Sequence, residues 1–131
     1  MQAASSSSVT AIRPTREVLT SQQLPYFVGI SGASAGALGL SMHLVVIPPR
    51  ARSQPHLHQG HETAIYVLQG RVETLYGSGL QQSVISAAGE FLFIPPDVPH
   101  VAINLSATEP ARAIVSRNDP AEQDRVVPYS P

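Results

Sequence analysis

Apolar residues in this chain run or alternate in short stretches, each cut off by proline or glycine, and no stretch keeps the spacing of an amphipathic helix for a useful length. Stretches filled with β-branched and aromatic residues predict strands at LPYFVGIS (24–31), LSMHLVVI (40–47), AIYVLQ (64–69), RVETLYG (71–77), LQQSVIS (80–86), EFLFIP (90–95), HVAINLS (100–106) and ARAIVSR (111–117). Twelve prolines and nine glycines supply the breaks. Gly70 is expected to join two strands as a tight hairpin, and YGSGLQ (76–81) to turn a second. IPPDVP (94–99) must lie between strands, because proline cannot donate to a ladder. Eight short strands at even spacing predict an all-β fold, a closed or jelly-roll barrel.

At 131 residues the chain can bury one core and is too short for two substantial ones. The serine-rich start reads as a flexible arm over residues 1–20, residues 21–118 as the barrel, and DPAEQDRVVPYSP (119–131) as a polar tail. Eight basic residues, all arginine and scattered from Arg13 to Arg125, stand against nine acidic ones, which predicts no nucleic-acid and no membrane partner. Cysteine is absent, so disulfides, thiolate nucleophiles and zinc–thiolate sites are excluded, and any metal must be held by imidazole and carboxylate. No apolar stretch has the length to span a bilayer, and the start lacks a basic region followed by a hydrophobic run, so a cytoplasmic location is expected. With 43% hydrophobic and only 13% charged residues, more apolar surface is expected than one core can hide, and a homodimer is predicted.

GASAG (32–36) matches the G-x-S-x-G elbow of serine hydrolases. That elbow needs a strand before it and a helix after it in a larger α/β sheet, whereas here LSMHLVVIPP follows, a strand stopped by prolines. The stretch is expected to be a small-residue loop.

Chemistry is concentrated in PHLHQGHE (55–62), which holds three of the five histidines. Residues two apart on a strand face the same side, so His56 and His58 present two imidazoles together. His100 follows the proline turn and begins a strand on which Ala102 and Asn104 share its side. A lone histidine is more simply a hydrogen-bonded interior group, the reading given to His43. An H-x-H pair with an acid behind it and a distant third histidine points instead to a metal. Asn104 is expected to stabilise a turn.

These residues resemble the two motifs of the cupin superfamily, single-domain jelly-roll barrels. The first family motif runs glycine, five residues, H-x-H, three or four residues, glutamate, six residues, glycine, and RARSQPHLHQGHETAIYVLQG (50–70) follows most of it. The second runs glycine, five residues, proline, then histidine five further on and asparagine four after that; GEFLFIPPDVPHVAIN (89–104) meets it at Gly89, Pro95, His100 and Asn104. Arg50 and Asp97 stand at turn positions where the motifs carry glycine. Glu62 follows His58 at the family spacing, yet seven residues separate it from Gly70, and counting back from Gly70 puts Thr63 in the glutamate's place. If Gly70 fixes the facing, Thr63, Ile65 and Val67 point inward with His61 while Glu62 points out; a one-residue bulge reverses this. The resemblance therefore implies His56, His58 and His100 as metal ligands with either His61 or Glu62 as a fourth, the spacing from His58 favouring Glu62.

Such a site implies one divalent transition metal, Fe, Mn, Ni, Co or Zn, with positions open to water, a small-molecule substrate or dioxygen. The leading expectation is a metal-dependent enzyme of dioxygenase type acting on a small organic molecule, the reaction class coming from the resemblance. The alternatives are a metal-dependent isomerase, cyclase or lyase, or a non-catalytic small-molecule-binding protein. Because ligands must be neutral, metal binding is expected to weaken below about pH 6.

Overall fold

The computed structural model describes residues 8–14, 18–19, 24–121 and 126–131. Its strands are β1 (Val18–Leu19), β2 (Pro25–Ile30), β3 (Ser41–Ile47), β4 (His56–His58), β5 (Thr63–Gln69), β6 (Arg71–Tyr76), β7 (Gln82–Ala87), β8 (Phe91–Ile94), β9 (His100–Asn104), β10 (Ala111–Arg117) and β11 (Val126–Pro128). They form two antiparallel sheets in the orders β1-β2-β3-β10-β5-β8 and β11-β4-β9-β6-β7. This is the all-β jelly-roll barrel that the alternation predicts. Among the described residues no helix is long and apolar enough to cross a membrane.

The inward face follows from the period of two. On β10, Ala111, Ala113 and Val115 are buried. The row Tyr26–Val45–Ala113–Val67 crosses four strands of the first sheet on that side. Leu24, Ile47, Val72 and Ala111 form the core cluster, with Val45, Ala51 and Ala102 packed against it.

Gly70 is not the expected hairpin. It links β5 in the first sheet to β6 in the second, so it is a corner. Its φ is +91°, and an added Cβ would lie 3.1 Å from that of Ala111, so both backbone and space require glycine. YGSGLQ does close the β6–β7 hairpin, in register from Arg71↔Ala87 to Tyr76↔Gln82. The proline turn carries the chain from β8 in one sheet to β9 in the other.

Arg50 and Asp97, which stand where the motifs have glycine, are both in the left-handed region, at φ +61° and +65°. The turns keep the shape glycine would give and carry a side chain besides. Asn104 ties two connections together. Its Nδ2 lies within hydrogen-bonding distance of the carbonyls of Ile47, Pro48 and Glu109, at 3.0, 3.2 and 2.8 Å, and its Oδ1 accepts from the Ser106 amide.

Part of the expected arm, residues 1–7, 15–17 and 20, lies outside the described residues, but Val18–Leu19 pairs with β2. The segment read as a tail contributes β11, which pairs with β4 over three residues. GASAG is not plain loop but one helical turn, α1 (Gly32–Ala35), capped by Ser31 and ended by Gly36 in left-handed backbone. Ser34 Oγ donates to Gly29 O at 2.7 Å and accepts from the Ser31 amide at 2.9 Å. Its hydroxyl is engaged in capping.

Candidate metal centre

Two strands bring the histidines together. His56 and His58 are the first and last residues of β4 and both are buried, while His100 opens β9 as the direct partner of His56. One ligand nitrogen from each of the three lies within 4.8 Å of the others, and His61 and Glu62 are outside this group.

The backbone orients two of the rings. His56 Nδ1 lies 2.6 Å from the carbonyl oxygen of Gln54, and His100 Nδ1 lies 2.9 Å from that of Val98. A carbonyl can only accept, so each Nδ1 carries the proton and each Nε2 keeps its lone pair. His58 Nε2 is buried without a hydrogen-bond partner. Burial, with smaller repulsions from His100 and Arg117, pushes His56 down to about 3. Burial likewise holds His100 at about 4, a shift its bond to Val98 opposes and Arg117 reinforces. His58 is strongly lowered, by burial first and then by Arg117 and the neighbouring histidines. All three are therefore neutral at physiological pH, the form that ligates a metal. Convergent lone pairs, second nitrogens fixed by carbonyls and an orphaned buried Nε2 fit a divalent ion.

Thr63 stands where counting from Gly70 puts the family's glutamate. It is 1% exposed, and its Oγ1 accepts from Arg117 Nε at 3.1 Å. Glu62 is exposed and uses its amide to reach Asn118 Oδ1 at 2.9 Å. His61 lies partly buried with Nδ1 3.5 Å from Asp119 Oδ2. The β5–β10 ladder does contain a bulge, but at Leu68, between Val67 and Gln69, and it leaves Thr63, Ile65 and Val67 inward. His43 is buried outside the group, its Nδ1 accepting from the Gly29 amide at 3.3 Å and its ring edge-on to Tyr26.

A cavity of about 80 Å³ opens beside His56 and His100, with Thr63 and Arg117 on its wall, aliphatic side chains over most of the rest, and Ser53, Thr74 and Ser86 as its other polar residues. Burial lowers Arg117 to about 10, against the pull of Asp119, so the guanidinium stays charged at neutral pH. Reasoning from the sequence did not single out Arg117. The signal was present: in ARAIVSR, every second residue from Ala111 faces inward, and that series ends on Arg117.

The family model described as the Cupin domain matches residues 43–117. The chain belongs to the cupin family. No curated protein matches it. Solved structures similar to this cupin include an oxalate oxidase in complex with glycolate, at 24% identity and a TM-score of 0.66 over 78% of this chain and 54% of that one. Another is the oxalate decarboxylase of Lactobacillus farciminis as a formate complex, at 19% identity and a TM-score of 0.73 over 86% of this chain and 33% of that one. A third is a Cupin 2 conserved barrel domain protein from Salinispora arenicola, at 20% identity and a TM-score of 0.69, covering 86% of this chain and 91% of that one. The chain thus spans about half of the oxidase and a third of the decarboxylase. At these identities the likeness describes the fold.

Proposed function

We propose that this cupin is a metal-dependent enzyme acting on a small organic molecule, with one divalent transition metal held by His56, His58 and His100. The single observation that carries the reading is three buried, neutral imidazoles converging beside a cavity. A divalent ion there would supply positive charge and open coordination positions. The chain's own contribution is to fix ring orientation through the Gln54 and Val98 carbonyls and to surround the reacting face with a largely aliphatic wall.

Dioxygenation is the leading reaction class, supported by the family and by three converging imidazoles beside a largely apolar cavity. Elemental analysis followed by oxygen-electrode measurements with candidate small molecules tests it. Metal at one per chain with substrate-dependent oxygen uptake is the expected result, and a chain without metal would sink the reading.

One observation favours a second reading, a metal-dependent isomerase or lyase. His61 is backed by Asp119 at 3.5 Å and lies near enough to His58 to disfavour its protonation, so it is a candidate proton carrier beside the site. Turnover without oxygen, with solvent deuterium appearing in the product and lost in His61→Gln, would select it.

We also propose a homodimer. The outward face of the first sheet carries the cross-strand row Phe27–Leu44–Ile114–Tyr66–Phe91. Phe91 and Phe93 on its edge strand are 80% and 57% exposed. A second copy is the occupant that suits such a face.

A further inference from the structure

Resting on the three-histidine reading, we propose that the site binds a monocarboxylate with a short hydrocarbon tail, its head held between the metal position and the Arg117 guanidinium and its tail in the aliphatic end of the cavity. Charge is the first argument. Where the family motif places a glutamate this chain has Thr63, so the described side chains at the site contribute three neutral rings and no carboxylate. A divalent ion there would keep its full charge, with a guanidinium beside it. Two cationic centres facing one small cavity disfavour a neutral or cationic guest and favour an anionic one.

Geometry is the second. Arg117 spends its Nε on Thr63 Oγ1, and Asp119, the carboxylate whose charge supports the guanidinium, has its Oδ2 3.5 Å from His61 Nδ1 and makes no salt bridge to Arg117 among the described residues. The two terminal nitrogens of the guanidinium fork remain for a guest, and a fork suits a carboxylate.

The wall is the third. Beyond Arg117, Thr63 and the histidines the wall is chiefly aliphatic, with Ile65, Val67, Leu92 and Ile94, and its other polar residues are the uncharged Ser53, Thr74 and Ser86. A second carboxylate there would be desolvated with hydroxyls but no second cation to balance it, which disfavours dicarboxylates. A volume of about 80 Å³ admits only a short chain.

The test is calorimetric titration of the zinc-loaded full chain with butyrate, butyramide and succinate, with zinc content measured on every sample. Wild type should bind butyrate more tightly than succinate and butyramide. Arg117→Gln should keep its zinc and lose about tenfold in butyrate affinity, and Arg117→Lys should recover part of it. Thr63→Glu, which offers Arg117 an internal carboxylate, should also lose butyrate while holding zinc at least as well. Unchanged butyrate affinity in zinc-replete Arg117→Gln or Thr63→Glu would overturn the proposal, as would tighter binding of succinate. If Arg117→Gln does not fold, Thr63→Glu and the wild-type ligand series decide. A wild-type chain that takes up no zinc overturns the metal reading itself, and the zinc assay separates that outcome from failure of the anion site.

Discussion

His56 and His100 are register partners across the β4–β9 ladder, with ring centroids 4.3 Å apart. Two residues 44 positions apart in the sequence are thus held by main-chain pairing rather than by side-chain packing alone. Removing one imidazole leaves the other two in place but in a poorer site. His58→Ala is expected to lose most of its metal, while His61→Ala and Glu62→Ala should retain it to the same extent. Elemental analysis of the three variants side by side checks this, and a selective loss in Glu62→Ala would restore the carboxylate as a ligand.

Acid should destabilise the metal-free protein. All three site histidines titrate lower in the fold than their ordinary 6.5, His100 at about 4 and His56 at about 3. The unfolded chain therefore binds protons that the folded chain refuses. Stability is full above about pH 6.5 and is lost as pH falls through 4 and 3, with a steepness of up to three protons. Melting temperature against pH, with and without metal, measures it. The expected weakening of metal binding below pH 6 moves down accordingly, and uptake at pH 5 should still be near complete.

Asn104→Leu should cost about 3 kcal/mol, because three backbone carbonyls lose their shared donor in a buried setting. Urea unfolding provides the number. Asn104→Asp should be no better, since it removes the same donors and buries a charge.

Arg50→Gly should stabilise the fold by up to about 1 kcal/mol, the relief of left-handed backbone less the added freedom of the unfolded chain. Asp97→Gly should gain less, because Asp97 Oδ1 also accepts from the Gly60 amide at 2.9 Å. Thermal melts of both variants give the comparison.

If the outer face of the first sheet is a dimer interface, replacing Phe91 and Phe93 together with glutamate should yield a folded monomer. Light scattering at micromolar concentration gives the mass. A wild-type monomer under those conditions would refute the dimer.

The eight strands expected from alternation and breaker residues all form, with ends shifted by a residue or two. They were legible because an inward face in a small barrel demands a strict period of two. The remaining strands were less so. β1 has two residues and β11 three, and both lie in polar surroundings, where pairing partners rather than intrinsic pattern make a strand. Gly70 misled because a hairpin and a sheet corner both select left-handed backbone. The histidine triad could be read from H-x-H and a distant partner, whereas the side of Glu62 turned on where one extra residue is accommodated. The loop after β4 takes it, and Thr63 faces inward. Arg117 was less legible because it is one of eight scattered arginines, and only its place at the inward end of β10 sets it apart.

The strand that supplies two of the three imidazoles has a weak neighbour on one side and a late one on the other. β4 meets β9 through the single pair His56↔His100, and its outer edge is covered by Val126–Pro128, with the Tyr129 amide reaching Pro55 O at 3.0 Å and the Tyr129 hydroxyl accepting from Gly79. The cluster of three imidazoles is thus braced by a segment outside the eight expected strands, and a change in residues 126–129 would reach His56 and His58 through the main chain of β4.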